Sequence, residues 1–190
     1  MGKTLCFTGH RPQKMYGYDA KKYIGLFNQV VECVKNLYAV GYTNFISGGA
    51  QGFDQLAFWA VDALKRDGGY TKITNRVYIP FEGQERSWPV SGMYGQAEYQ
   101  AMLQAADEVR VISDKSDKTA LFLRNEAMVE DSDGILCLYE DDSWKTVKTG
   151  GTAKTMQFAI KHMMDIWQIK FNSQVTAPYP IVTIQNNIFM

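Results

Sequence analysis

Short apolar runs that stop at glycine-bearing loops, each followed by a stretch of helical periodicity, recur along most of this sequence. Thr4–Thr8 reads as a buried strand that ends at Gly9-His10-Arg11-Pro12. From about Asp19 to Val40 the residues Ile24, Phe27, Val30, Val31, Val34, Leu37 and Tyr38 repeat at three- and four-residue spacing, an amphipathic helix that Gly41 would stop. The alternation continues. Strands are predicted over Asn44–Ser47, Asn75–Pro80, Glu108–Ser113, Gly134–Tyr139 and Ile166–Phe171. Helices are predicted over Phe53–Leu64, Gln96–Ala106, Leu121–Glu130 and Ala153–Met164. Strands that alternate with helices bury both of their faces in a mainly parallel sheet with helices on both sides, so the expected fold is α/β and doubly wound.

The rhythm fills residues 1–170, and 190 residues make one ordinary domain rather than two full cores. Residues 171–190 break it: Pro178 and Pro180 bracket Tyr179, and Ile181–Gln185 alternate only weakly. This C-terminal extension reads as an edge strand, an oligomer arm or a tail. Hydrophobic residues make up 46% of the chain and charged residues 21%, which excludes wholesale disorder. Twenty basic residues balance twenty acidic ones, so a nucleic acid or anionic membrane meets no attractive long-range field. A nucleic-acid partner is therefore not expected, although a local basic patch remains open.

No apolar run approaches the ~20 residues that cross a bilayer, and the opening residues read as a strand rather than a leader, so a cytoplasmic protein without a membrane partner is expected. The three cysteines, Cys6, Cys33 and Cys137, are odd in number and lie far apart in apolar runs, as buried thiols in a reducing compartment do. With only His10 and His162, and neither a CxxC nor an HExxH pattern, no metal or other cofactor is expected.

In an open parallel sheet a ligand sits beyond the carboxyl ends of the strands, where the strand order reverses. Three glycine loops fall at such ends, and each precedes a helix whose first amides attract an anion. In the first, Gly9 would let a ligand approach the backbone, His10 lies beside it, and Arg11 offers a forked donor. The second is Ser47-Gly48-Gly49-Ala50-Gln51-Gly52-Phe53-Asp54, which is neither a GxGxxG fingerprint nor a P-loop. There Asp54 would either accept hydrogen bonds from a ribose or only stabilise a helix start. The third is Thr149-Gly150-Gly151-Thr152-Ala153-Lys154-Thr155, where Thr152 is either an anion donor or a helix cap. Arg124 and Asn125 lie on the helix before the fifth strand, where a lone arginine ordinarily marks a solvated face. Trp88 would cover a pocket, stack on a base, or plug the sheet edge.

Together these motifs resemble the SLOG superfamily, the Rossmann-like group that contains the DprA proteins and the LOG phosphoribohydrolases, and the likeness is greatest to its YpsA branch. It is carried by Thr8-Gly9-His10-Arg11-Pro12, by the Ser47–Asp54 loop, by Pro80-Phe81 with Gln84 and Trp88, by Arg124-Asn125 with Met128-Val129, and by Gly150-Gly151-Thr152 with Thr155 and Ala159. The resemblance implies a Rossmann-like fold, a nucleotide-type ligand, and a binding role for Arg124, which matches the arginine ahead of the LOG Gly-Gly loop. LOG-like relatives also suggest a homodimer, by analogy. The chain departs from the pattern at two places. Met156 and Gln157 stand where LOG enzymes carry their glutamate, and Phe58 stands where DprA-like proteins place a histidine.

Three functions follow. The leading one is binding of a nucleotide or nucleotide-derived molecule, in a sensory or regulatory role, by Gly9, His10, Arg11, Ser47, Gly48, Gly49, Gly52, Asp54, Trp88, Arg124, Asn125, Gly150, Gly151, Thr152 and Thr155. The second is a phosphoribohydrolase-like N-glycosidase on a nucleoside monophosphate. It would need a carboxylate near the anomeric carbon, and Asp54 or Glu126 with Arg124 are the weak candidates. The third is single-stranded nucleic-acid binding.

Overall fold

A computed structural model describes residues 2–172. The sixth predicted strand falls inside this range, whereas the expectation for the C-terminal extension lies, from residue 173 on, outside the described residues.

Among the described residues six strands form a single sheet: β1 (Lys3–Thr8), β2 (Tyr42–Ser47), β3 (Thr74–Ile79), β4 (Glu108–Val111), β5 (Gly134–Tyr139) and β6 (Asp165–Lys170). Their order is β4-β3-β2-β1-β5-β6, and every neighbouring pair is parallel. The connecting helices are α1 (Ile24–Ala39), α2 (Phe53–Arg66), α3 (Gln96–Ala105), α4 (Lys118–Glu130) and α5 (Gly151–Lys161). The fold is the doubly wound, Rossmann-like α/β architecture that the alternating pattern predicts.

The period-two pattern of each strand divides its side chains between two cores. Leu5 and Phe7 of β1, Phe45 of β2, and Leu136 and Leu138 of β5 pack under α1 and α2. Their neighbours Cys6, Ile46, Ile135 and Cys137 point the other way, onto Met128 and Val129 of α4 and Ala153, Met156 and Ala159 of α5. A smaller third cluster joins Val77 and Ile79 of β3 to Phe58 of α2 and to Tyr99 and Met102 of α3. Each fully buried Leu, Ile or Phe contributes about 1.5–3 kcal/mol. The central strands, apolar on both faces, therefore anchor the fold.

Boundaries shift where local caps override periodicity. Residues Ala20–Tyr23 form a 3-10 turn, its Lys21 amide held by the Asp19 carboxylate at 3.2 Å, and α1 starts only at Ile24. Helix α4 starts at Lys118, three residues before its predicted start, because Asp117 caps the Ala120 amide at 2.9 Å. Strand β4 ends at Val111, short of the predicted Ser113, and all four of its residues are exposed at the sheet edge. Cys6, Cys33 and Cys137 are buried free thiols. No helix among the described residues is long and apolar enough to cross a membrane.

Candidate functional site

The order of the strands decides where a crevice opens. β1 and β5 are hydrogen-bonded neighbours, but the chain leaves β1 toward α1 on one face and leaves β5 toward α5 on the other. The loops beyond their carboxyl ends therefore diverge, which is the switch-point geometry of open α/β sheets. A cavity of about 310 Å³ lies there, near the low end of the ~300–1,000 Å³ typical of ligand pockets. Gly9, His10 and Arg11 border it from the first loop, Ala50, Gln51 and Asp54 from the second, Arg124 and Asn125 from α4, and Gly150, Gly151 and Thr152 from the third.

Hydrogen bonds tie these distant segments together. Thr152 Oγ1 donates to the Gly9 carbonyl at 2.9 Å, fastening the start of α5 to the end of β1. The Phe53 amide donates to the His10 carbonyl at 3.1 Å, fastening α2 to the same loop. Gly52 permits this second approach. Its φ of +96° lies in the left-handed region, and a Cβ there would strike the His10 carbonyl.

Arg124 is the main correction to the sequence reading. It does not lie on a solvated face but is 4% exposed, because Ala120, Arg124 and Met128 form the inward stripe of α4 at four-residue spacing. Its Nη1 donates to the Gly48 carbonyl and lies 3.3 Å from Asp54 Oδ2. Asp54 also accepts the Ala50 amide at 3.3 Å. Burial raises the Asp54 carboxyl above the ordinary carboxylate range, against the opposing pull of Arg124 and Arg11. Burial likewise lowers the Arg124 guanidinium, against the pull of Asp54. A guanidinium starts so high that it stays cationic. Its Nε is buried without a partner among the described residues.

His10, also 4% exposed, shares a 2.8 Å hydrogen bond through Nε2 with Glu140 Oε2, just past β5. Arg11 and Lys14 complete a cationic rim. The start of α5 borders the same cavity, and its first three amides precede any intrahelical partner and lie at the positive end of its dipole. Phosphate or carboxylate is the chemistry this arrangement can hold. Among the described residues no His, Cys, Asp and Glu cluster could hold a metal ion.

Several predicted ligand residues form the wall behind the cavity rather than its lining. Ser47 Oγ donates to the Asp54 carbonyl at 2.7 Å and accepts the Gly49 amide at 3.2 Å, bracing the second loop. Gly48 leaves room for the Arg124 guanidinium, and Gly49 lies against Val77, Tyr99 and Met102. Thr155 Oγ1 bonds back to the Gly151 carbonyl at 2.9 Å and faces the groove between α4 and α5. Trp88 stands apart from the cavity, half-buried against the third cluster and edge-on to Tyr99 with ring centroids 5.2 Å apart. Glu126 also faces the α4–α5 groove, since two residues along a helix turn it away from Arg124.

At the departures from the LOG and DprA patterns the chain has structural side chains. Met156 is fully buried, and Gln157 Nε2 donates to the carbonyls of Trp144 and Val147 at 2.8 and 2.9 Å, holding the loop ahead of α5. Phe58 is core. Sequence reasoning missed Lys14, Gln51 and Glu140. Gln51 is held by its amide on the Tyr94 carbonyl at 2.7 Å, a partner 43 residues away.

An all-parallel doubly wound sheet with an anion-competent cavity at its switch point defines a Rossmann-like α/β protein. The sequence pattern of the YspA SLOG family matches residues 5–174, and the chain belongs to that family. It is 28% identical over 151 residues, 71% of this chain and 82% of the relative, to the uncharacterized SPbeta prophage-derived protein YoqJ of Bacillus subtilis. It is 35% identical over 99 residues to the UPF0398 protein ABC2016 of Shouchella clausii, which spans 51% of this chain and half of that relative. Among solved structures it resembles DNA processing protein A from Helicobacter pylori, described by its single-stranded DNA binding mode. The TM-score is 0.52 at 16% identity, covering 88% of this chain and 65% of that one. At that identity the likeness is one of fold.

Proposed function

We propose that the chain binds a phosphorylated nucleoside or a nucleotide-derived molecule in the switch-point cavity and serves as a sensor or regulator. The observation that carries this reading is the convergence of three loops, distant from one another in sequence, on one cavity with Arg11, Lys14 and Arg124 at its border. Gly151 adds to it. An added Cβ there meets no atom within 4 Å, so packing does not require a glycine, whereas a ligand using the amides of α5 would.

The cavity offers a weak basis for glycoside hydrolysis. Its one carboxylate among the described residues, Asp54, is engaged by Arg124 and the Ala50 amide. Glu140 is engaged by His10, and Glu126 faces the neighbouring groove. A binding role fits this set of partners better than acid–base chemistry.

Calorimetry of the full chain against inorganic phosphate, ribose 5-phosphate, AMP, GMP, NAD and ADP-ribose tests the reading. Saturable binding of at least one phosphorylated nucleoside, weakened tenfold or more by Arg11→Ala, is expected. Silence across the panel from a protein shown to be folded would overturn it. Because the Helicobacter protein of similar fold binds single-stranded DNA, a labelled oligonucleotide is titrated in parallel at low and high salt. Tight binding that collapses as salt rises would assign the cationic rim to nucleic acid instead.

A further inference from the structure

Beside the switch-point cavity, and sharing Asn125 with it, lies a second cavity of about 330 Å³ between α4 and α5. The two flank successive residues of one helix: Gly151, Thr152 and Ala153 face the first, Lys154 and Thr155 the second. They differ in chemistry. The first is ringed by backbone amides and guanidinium groups, whereas the second presents two aromatic rings, Phe122 and Phe158, with Lys154, Lys161 and Glu126 around them.

Phe122 is 43% exposed on α4, a large apolar ring that the protein's own core does not use. The Lys154 ammonium lies 4.9 Å from its centroid, a weak contact at an exposed site that a stacking ring can displace. Phe158 is half-buried and backed by the His162 ring at 4.4 Å. No hydrogen bond among the described residues holds the side-chain amide of Asn125, which leaves it free at the junction of the two cavities.

We propose that the α4–α5 groove is the nucleobase subsite, so that a ligand with its phosphate among Arg11, Arg124 and the α5 amides lays its base against Phe122 and Phe158. The inference rests on the phosphate reading of the first cavity and specifies the ligand further. Stacking on an aromatic ring tolerates any base. The Glu126 side-chain oxygens beside the rings offer acceptors and favour a base edge with N–H donors. The ligand class is thus a nucleoside phosphate with an amino-bearing base, and Asn125 contacts the sugar between the two subsites.

The test compares AMP and GMP with ribose 5-phosphate, which has the same phosphorylated sugar without a base. Dissociation constants are measured by calorimetry on the full chain, on Phe122→Ala, on Phe158→Ala and on Arg11→Ala, with thermal melting to verify that each variant folds. In the wild type at least one of the two nucleotides is expected to bind tenfold or more tightly than ribose 5-phosphate. Phe122→Ala is expected to remove most of that advantage while leaving ribose 5-phosphate within twofold. Arg11→Ala is expected to weaken all three ligands. Equal binding of nucleotides and ribose 5-phosphate by the wild type, or an advantage that survives both Phe122→Ala and Phe158→Ala, overturns the base subsite and leaves the phosphate site standing. Failure of every ligand to bind the folded wild type overturns both.

Discussion

Asp54 and Arg124, 70 residues apart in sequence, lie 3.3 Å apart with both side chains buried behind the switch-point cavity. A buried ion pair gives little net stability, since the cost of desolvating both charges nearly offsets their attraction, but removing one partner strands the other. Arg124→Met or Asp54→Leu is therefore expected to cost about 3–5 kcal/mol in urea unfolding. The double variant Asp54→Leu/Arg124→Met is expected to cost less than the sum of the two by more than ~0.5 kcal/mol. Additive losses would mean that the pair does not act as a unit.

The raised Asp54 carboxyl makes a pH prediction. Burial, its largest cause, favours the protonated form in the folded chain. The stability linked to that proton is fully present below the carboxyl's unfolded value and is lost as pH rises through its folded value. Asp54→Asn, which is neutral at every pH, is expected to flatten the fall in stability across the mildly acidic range. Parallel stability–pH curves for the Asp54→Asn variant and the wild type would contradict it.

Two glycines near the site are expected to respond oppositely to alanine. At Gly52 a methyl group combines left-handed backbone strain with overlap on the His10 carbonyl, so Gly52→Ala is expected to lose about 2 kcal/mol or more in chemical denaturation. At Gly151 a methyl group meets no protein atom and favours the helix, so Gly151→Ala is expected to change stability by less than about 1 kcal/mol. Its affinity for a nucleotide that binds the wild type is expected to fall tenfold or more, because the methyl group enters the cavity. Unchanged affinity in calorimetry would remove the α5 amides from the site.

Burial also pushes the Cys6 thiol up to about 12 and the Cys33 thiol up to about 11, and it raises Cys137 too. The thiolate is the reactive form. Native protein at pH 8 is expected to give almost no fast reaction with an aromatic disulfide reagent, and denatured protein to give three equivalents. Rapid native labelling of even one thiol would show that its surroundings open readily.

Architecture was legible because local signals agreed. Thr4–Thr8 and Gly134–Tyr139 are apolar on both faces, and glycine loops mark where Thr8 and Ser47 end their strands, so the parallel sheet follows without long-range information. What sequence periodicity left undetermined depends on tertiary partners. Arg124 reads as a surface residue until Asp54 and the Gly48 carbonyl are placed beside it. The spacing of Ala120, Arg124 and Met128 held a clue, since the arginine occupies a core position of α4. Glu140 carried no motif and gains its place only because β5 lies beside β1, where His10 ends up. Trp88 reads as well for a lid as for a plug, because an aromatic in a polar loop suggests exposure. Its neighbour Tyr99, on α3, holds it half-buried against the third cluster instead.

The reversal between β1 and β5 has an energetic consequence. Divergent loops leave the hollow as a by-product of how the strands are threaded, and the Thr152 hydroxyl on the Gly9 carbonyl fixes its mouth in advance. The ligand proposed above would not first have to organise its host, so little of its interaction energy would be consumed by ordering the polypeptide. A hollow formed in this way would support fast and reversible recognition, in keeping with the sensory role proposed above.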